Sequence, residues 1–302
     1  MTAASPAPLP TDWRRWVLGA RPRTLPAAVA PVLVGTAAAA TTGLTAWVFL
    51  CALGTALFVQ VATNYANDYS DGRRGTDDPG ARVGPPRLVG NGLATPGEVK
   101  RAMLLAFGLT ALCGLPLVIW VDPWLALVGV AAIAAGWFYT GGPNPYGYAG
   151  LGEVFVFVFF GLVATVGSFY VQALTITWLP VVAGVAMGCL ATALLVVNNL
   201  RDIPGDTQAG KRTLAVRLGD RRTRILYVVL LVVPFVLLPV VAGAGGRPLA
   251  ALAFVALVLA RAPVVRVLSG ARGRGLIVVL AETGRVQLVY GVLMAAGLLV
   301  TL

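Results

Sequence analysis

The chain has 302 residues, 58% of them hydrophobic and only 12% charged, with a mean hydropathy of +0.84. A soluble domain is about half apolar and about a quarter charged, and a disordered chain is poorer still in apolar residues, so both classes are excluded in favour of a polytopic membrane protein. The 23 Lys and Arg outnumber the 12 Asp and Glu for a net charge of +11, and there is no His, which excludes most zinc sites and histidine-based catalysis.

Residues 1–20 are expected to be flexible or interfacial. Apolar runs then fall at 25–43, 46–68, 99–121, 123–141, 151–172, 178–200, 223–243, 248–268 and 280–301. Each approaches the ~20 residues needed to cross a ~30 Å hydrocarbon layer. The pattern predicts an all-α fold: a single domain over 1–302, with nine transmembrane helices in one bundle around a central cavity open to the cytoplasmic side. Basic residues followed by an apolar run ending at Ala37–Ala40 resemble a signal peptide, but the prolines and the length of the run favour a retained helix. Cys51, Cys113 and Cys189 lie far apart in apolar runs and read as buried side chains rather than disulfides.

The cations alternate with the spans. Arg14, Arg15, Arg21 and Arg23 precede the first, and the remaining clusters follow the second, sixth and eighth; only Arg247 falls on the other side. The positive-inside rule makes the crowded side cytoplasmic, with the N-terminus inside and the C-terminus outside. A basic pI could indicate nucleic acid, but topology already accounts for the charge, so no nucleic-acid partner is expected.

Two acidic motifs stand at the cytoplasmic ends of the second and sixth helices. Asn64, Asn67, Asp68 and Asp71 are spaced i, i+3, i+4, i+7 and share one helical face. Asn199, Asp202 and Asp206 repeat the pattern beside Asn198, and Asp77 and Asp78 lie in the loop after the first motif. Carboxylates at helix C-terminal ends oppose the macrodipole and one another, at a membrane boundary where ionisable groups are costly. A bound cation relieves these costs. Donors that are oxygen only select a hard ion, Mg²⁺, which takes one or two carboxylates and completes its shell with phosphate oxygens. Two such faces on one cavity would hold a diphosphate through two or more Mg²⁺, with Arg201, Lys211 and Arg212 completing the clamp. Two other readings stay open: solvated loop charges, and an ion transporter, whose acids would instead sit near the bilayer midplane.

Asn-Asp-x-x-Asp on one helix and Asp-x-x-x-Asp on another, in a chain of this hydropathy, resemble the UbiA superfamily of intramembrane prenyltransferases. Five stretches resemble its menaquinone branch: Arg21–Ala28, Asn67–Asp77, Tyr139–Pro143, Gly150–Glu153 with Phe160–Gly161, and Asn198–Leu214. The 4-hydroxybenzoate branch carries a third Asp where this chain has Gly75; the Gly-x-Asp ending at Asp77 is similar to the menaquinone branch. The resemblance implies transfer of a polyprenyl group from polyprenyl diphosphate to 1,4-dihydroxy-2-naphthoate, with loss of diphosphate and CO₂, giving demethylmenaquinone in a bacterial cell membrane. It implies Mg²⁺ held by Asp68, Asp71, Asp77, Asp202 and Asp206. Tyr139, Tyr146, Tyr148, Phe155 and Tyr65 are candidates to face the allylic cation, Arg21 or Arg23 to hold the acceptor carboxylate, and Glu153 to act as acid/base or orient the acceptor. The prenyl tail would lie along or between helices, with a lateral opening to membrane lipid.

Overall fold

The computed structural model describes residues 9–75 and 84–300, and within them every regular element is helical. A short helix α1 (Arg14–Ala20) is followed by a 3₁₀ turn (Pro22–Thr24) and α2 (Pro26–Ala38). Seven helices are long and apolar enough to cross a membrane: α3 (Ala46–Arg73), α4 (Pro96–Trp120), α6 (Gly152–Ala173), α7 (Trp178–Gln208), α8 (Leu214–Ala244), α9 (Pro248–Leu268) and α10 (Arg274–Leu299). The other two apolar runs form shorter helices, α2 with 13 residues and α5 (Leu125–Phe138) with 14, each ~20 Å long at 1.5 Å per residue.

Local chemistry sets several boundaries. Thr95 caps α4 in a full capping box with Glu98, and Pro96 occupies the first turn, where its missing N–H costs nothing. Thr213 caps α8 by accepting from the Val216 N–H, and Gly219, at φ 74°, kinks that helix after its first turns. Several boundaries differ from the sequence expectation: α8 starts nine residues early at Leu214, α10 six early at Arg274, and α2 ends at Ala38. Helix α3 continues to Arg73 and α7 to Gln208, through Pro204. Apolar periodicity ends near 68 and 200 because the face turns polar, whereas the backbone ladder does not end there. Asp71, Arg201, Asp202 and Asp206 are therefore helical residues with fixed directions, not loop residues.

Helix α7 is the most enclosed, with 78% of its apolar window buried. Helix pairs in lipid gain no hydrophobic drive from one another, so close packing of small residues holds them. Gly161 of α6 and Gly188 of α7 pack closely: a side chain on Gly161 would meet the Gly188 main chain, and one on Gly188 would meet Phe157 of α6. Gly291 of α10 packs on Ala30 of α2, and Gly35 of α2 on the Thr165 carbonyl of α6. Beside the first of these contacts, Phe157–Val163 is a π-helical stretch within α6. Such insertions are frequent at functional sites, and this one lies where Phe159, Phe160 and Val163 reach a central cavity.

Candidate active site

The central cavity has a volume of about 810 Å³. One end is polar: Asn64, Asn67 and Asp71 of α3 face Asn198, Asn199, Arg201, Asp202 and Asp206 of α7, with Arg21 and Lys211 beside them. The other end is apolar and lined by small or aliphatic side chains, among them Ala52, Gly114, Leu117, Leu125, Gly129 and Val171. The stretch of α3 from Ala52 to Asp71 measures roughly 28 Å at the helical rise, close to the hydrocarbon thickness of a bilayer.

The two acidic faces are joined through Asp71. Its Oδ1 accepts from the Tyr148 hydroxyl and from Lys211 Nζ at 3.3 Å, and that ammonium lies 4.5 Å from the centre of the Tyr148 ring. The loop carrying Lys211 is pinned on both sides. The Lys211 N–H donates to the Asp206 carbonyl at 2.8 Å, and the Arg212 N–H donates to the Tyr148 carbonyl at 2.9 Å. On α7, Arg201 forks onto its neighbour, with Nε and Nη2 donating to the two oxygens of Asp202 at 2.7 Å each. Nη2 also reaches Asn198 Oδ1 at 2.8 Å. Asp206 accepts from the Thr213 hydroxyl at 3.4 Å. Burial acts to lower the Lys211 pKa, but the carboxylate of Asp71, then Tyr148 and Asp206, outweigh it and hold the pKa above its usual 10.5. Burial raises the Tyr146 pKa, so this phenol stays neutral.

The aromatic wall stands beside this polar end. Tyr139 and Tyr146 meet edge to face, and Tyr146 stacks on Phe155 with ring centres 3.9 Å apart. Tyr146 is oriented by donating its hydroxyl to the Ala135 carbonyl at 2.7 Å. Tyr139, Tyr146, Tyr148 and Phe155 all line the cavity. Glu153 is buried one layer behind it and accepts from Asn199 Nδ2 at 2.9 Å, so it orients an amide that does face the cavity.

Not every expected residue converges there. Asp68 is 1% exposed and does not line the cavity; its two oxygens accept the backbone N–H groups of Leu88 and Val89, both at 2.9 Å. It fastens the returning loop to α3. Tyr65 packs edge-on against Trp16 and donates to the Trp16 carbonyl, away from the cavity. Arg21 lines the cavity, held at φ 53°, whereas Arg23 lines a separate pocket on α10. Arg212 is exposed and outside the cavity lining, and Asp77 lies outside the described residues. Sequence reasoning passed over Gln60, Thr24, Thr140 and Arg74. Gln60 and Asn64 both donate to Thr24 Oγ1, at 3.0 and 3.1 Å. Thr140 donates to Asn67 Oδ1, and Arg74 spans to the Thr140 and Gly142 carbonyls. Gln60 extends the same 60, 64, 67, 71 stripe of α3, a signal present in the spacing. The other three join through tertiary contacts.

Among the described residues no three acidic side chains form a ready cage for a metal ion. The donor set nevertheless fits Mg²⁺, since Asp71, Asp202 and Asp206 offer hard oxygens at the polar end of one cavity and that ion completes its shell with phosphate oxygens.

The UbiA prenyltransferase family profile matches residues 28–274. Over 95% of this chain and 97% of the relative, the sequence is 52% identical to a 1,4-dihydroxy-2-naphthoate octaprenyltransferase of Mycobacterium tuberculosis. The protein of that name from Escherichia coli is 44% identical over 72% of each chain. Among solved structures, a UbiA homolog from Archaeoglobus fulgidus bound to GPP and Mg²⁺ superposes with a TM-score of 0.64 at 15% identity, covering 95% of this chain and 100% of that one. The chain belongs to the UbiA prenyltransferase family.

Proposed function

We propose that this member of the UbiA prenyltransferase family is a 1,4-dihydroxy-2-naphthoate polyprenyltransferase that works in a bacterial cell membrane. The relatives' names support the acceptor. The observation that carries the chemistry is one cavity of about bilayer length, with carboxylates and cations at its polar end and an apolar channel beyond them. A diphosphate with a long hydrocarbon tail matches both ends.

The donor's diphosphate lies among Arg201, Lys211 and the carboxylates, with its tail toward Leu117 and Val171. Asp71, Asp202 and Asp206 would hold Mg²⁺, which when bound supplies charge neutralisation to the leaving diphosphate. Asp68 and Asp77 complete the acidic set read from the sequence, Asp68 by setting the loop that follows Asp77. Lys211 and Arg201 donate to the diphosphate oxygens as negative charge gathers there on C–O cleavage. The rings of Tyr139, Tyr146, Tyr148 and Phe155 present π faces to the allylic cation and exclude water from it. Arg21 forks onto the acceptor carboxylate, and Asn199, set by Glu153, orients its ring. The ring carbon bearing the carboxylate forms the new C–C bond. CO₂ then departs and leaves its electron pair in the ring, giving demethylmenaquinone in its quinol form. The nine apolar helices form one domain. The one-sided cations put the N-terminus and the polar mouth in the cytoplasm and the C-terminus outside.

Purified protein supplied with Mg²⁺, a polyprenyl diphosphate and 1,4-dihydroxy-2-naphthoate should release CO₂ and a prenylated naphthoquinol detectable by mass spectrometry. No product from wild type, or equal product from Asp71→Ala, would refute the assignment.

A further inference from the structure

Outside the central cavity, a second pocket of about 410 Å³ opens between the 3₁₀ turn before α2 and the flank of α10. Its polar groups are Arg23, Arg285 and Glu282, and its apolar wall includes Pro26, Val278 and Leu288. Glu282 pairs through Oε1 with Arg266 Nε at 3.2 Å, while its buried Oε2 has no hydrogen-bond partner among the described residues. Neither the Arg23 nor the Arg285 side chain makes a hydrogen bond or ion pair with any described residue, and both residues are exposed. Two guanidinium groups thus share the pocket with a single carboxylate that already has Arg266 as its ion-pair partner.

The backbone builds this arrangement. Gly284 lies against the Arg23 carbonyl, with room for a side chain only 3.3 Å from that oxygen, so the turn and α10 approach closely at the residue before Arg285. The turn also fixes the level. Arg21 and Thr24, on either side of Arg23, line the polar end of the central cavity, so the pocket stands at the cation-rich end of the bundle. Deeper along the outer face of α10, Leu288 and then Val292 are exposed, 37% and 44%, where a hydrocarbon chain can lie.

We propose that this pocket is a binding site for an anionic phospholipid, with Arg23 and Arg285 gripping the headgroup phosphate and an acyl chain running over Leu288 and Val292. Planar guanidinium groups suit a phosphate held from two sides, and basic pockets between membrane helices suit anionic headgroups. The site is separate from the prenyl-transfer cavity and does not depend on its chemistry.

The test is native mass spectrometry of the full chain released from mixed phosphatidylglycerol and phosphatidylcholine. Wild type should retain phosphatidylglycerol preferentially. Arg23→Ala and Arg285→Ala should each weaken that retention roughly fivefold, the effect of about 1 kcal/mol per basic residue near an anionic headgroup. Arg285→Lys should keep most of it, as should Arg101→Ala, which removes an exposed cation from α4, and Asp71→Asn, which alters only the central cavity. No preference in wild type, or equal losses in Arg101→Ala, would overturn the site in favour of nonspecific surface charge. Loss in Asp71→Asn, or displacement of the lipid by geranyl diphosphate, would overturn it in favour of the prenyl donor's own route.

Discussion

Replacing Asp68 by Asn separates two roles that the sequence merges. Both Asp68 oxygens accept backbone N–H groups, from Leu88 and Val89 at 2.9 Å, and Asp68 and Leu88 are fully buried. Hydrogen bonds to a charged group contribute about 1.5–3 kcal/mol each. Asparagine keeps one acceptor and turns the other into an NH₂ facing an N–H donor. The expected cost to the 84–95 loop is about 2–4 kcal/mol, roughly a 30- to 800-fold increase in its opening equilibrium. Hydrogen–deuterium exchange in detergent micelles, read at the peptide containing Leu88 and Val89, measures this directly. The peptide should lose protection while segments of α7 and α10 keep theirs, and the Mg²⁺ concentration for half-maximal turnover should change less than in Asp71→Asn. Unchanged protection of 84–95 together with a large shift in Mg²⁺ dependence would refute the reasoning and make Asp68 a metal-holding residue.

Three further outcomes follow from the same geometry. Asp202→Asn should lower turnover about 100-fold or more, the usual scale for removing one preorganised electrostatic group; near-normal rates at saturating Mg²⁺ would leave Asp202 as a partner of Arg201 only. Lys211 has a raised folded-state pKa, so the stability its ammonium contributes is complete below pH 10.5 and is lost as pH rises through the higher folded value. Melting temperature should therefore drop above pH 10.5 in wild type, and that drop should be smaller in Lys211→Met. Gly188→Ala would place a methyl group against Phe157 and its carbonyl, within 2.8–3.0 Å, forcing α6 and α7 apart. An overpacking cost of about 1–3 kcal/mol should appear as a lower melting temperature and as a weaker Glu153–Asn199 coupling in a double-mutant cycle.

Much of the site is legible in the linear chain because helical spacing is a local property. The i, i+3, i+4, i+7 pattern places Asn64, Asn67 and Asp71 on one face, and the same rule places Asn199, Asp202 and Asp206 on another. Asp68 shares the pattern yet turns to the loop, because its partners are main-chain N–H groups twenty residues away that carry no sequence signature. Arg23 and Arg21 are equivalent in composition, and only the left-handed turn at Arg21 sends one to the cavity and the other to α10. Tyr65 reads as a cavity aromatic until Trp16, from the first short helix, covers it. Helix ends at Arg73 and Gln208 are hidden because hydropathy reports the membrane boundary rather than the last hydrogen bond.

In the proposed orientation the apolar channel runs beside the surrounding lipid tails. On the proposed reading, a prenyl tail that leaves the bilayer for this channel exchanges one hydrocarbon environment for another, so its transfer releases almost no ordered water and gains little hydrophobic free energy. Donors of different tail length should partition into the channel with similar affinity until the walls at Leu117, Leu125 and Val171 obstruct them. Tail selection then becomes a steric cut-off rather than a graded preference, and affinity rests on the charged headgroup, the only part of the donor that leaves water to enter the protein.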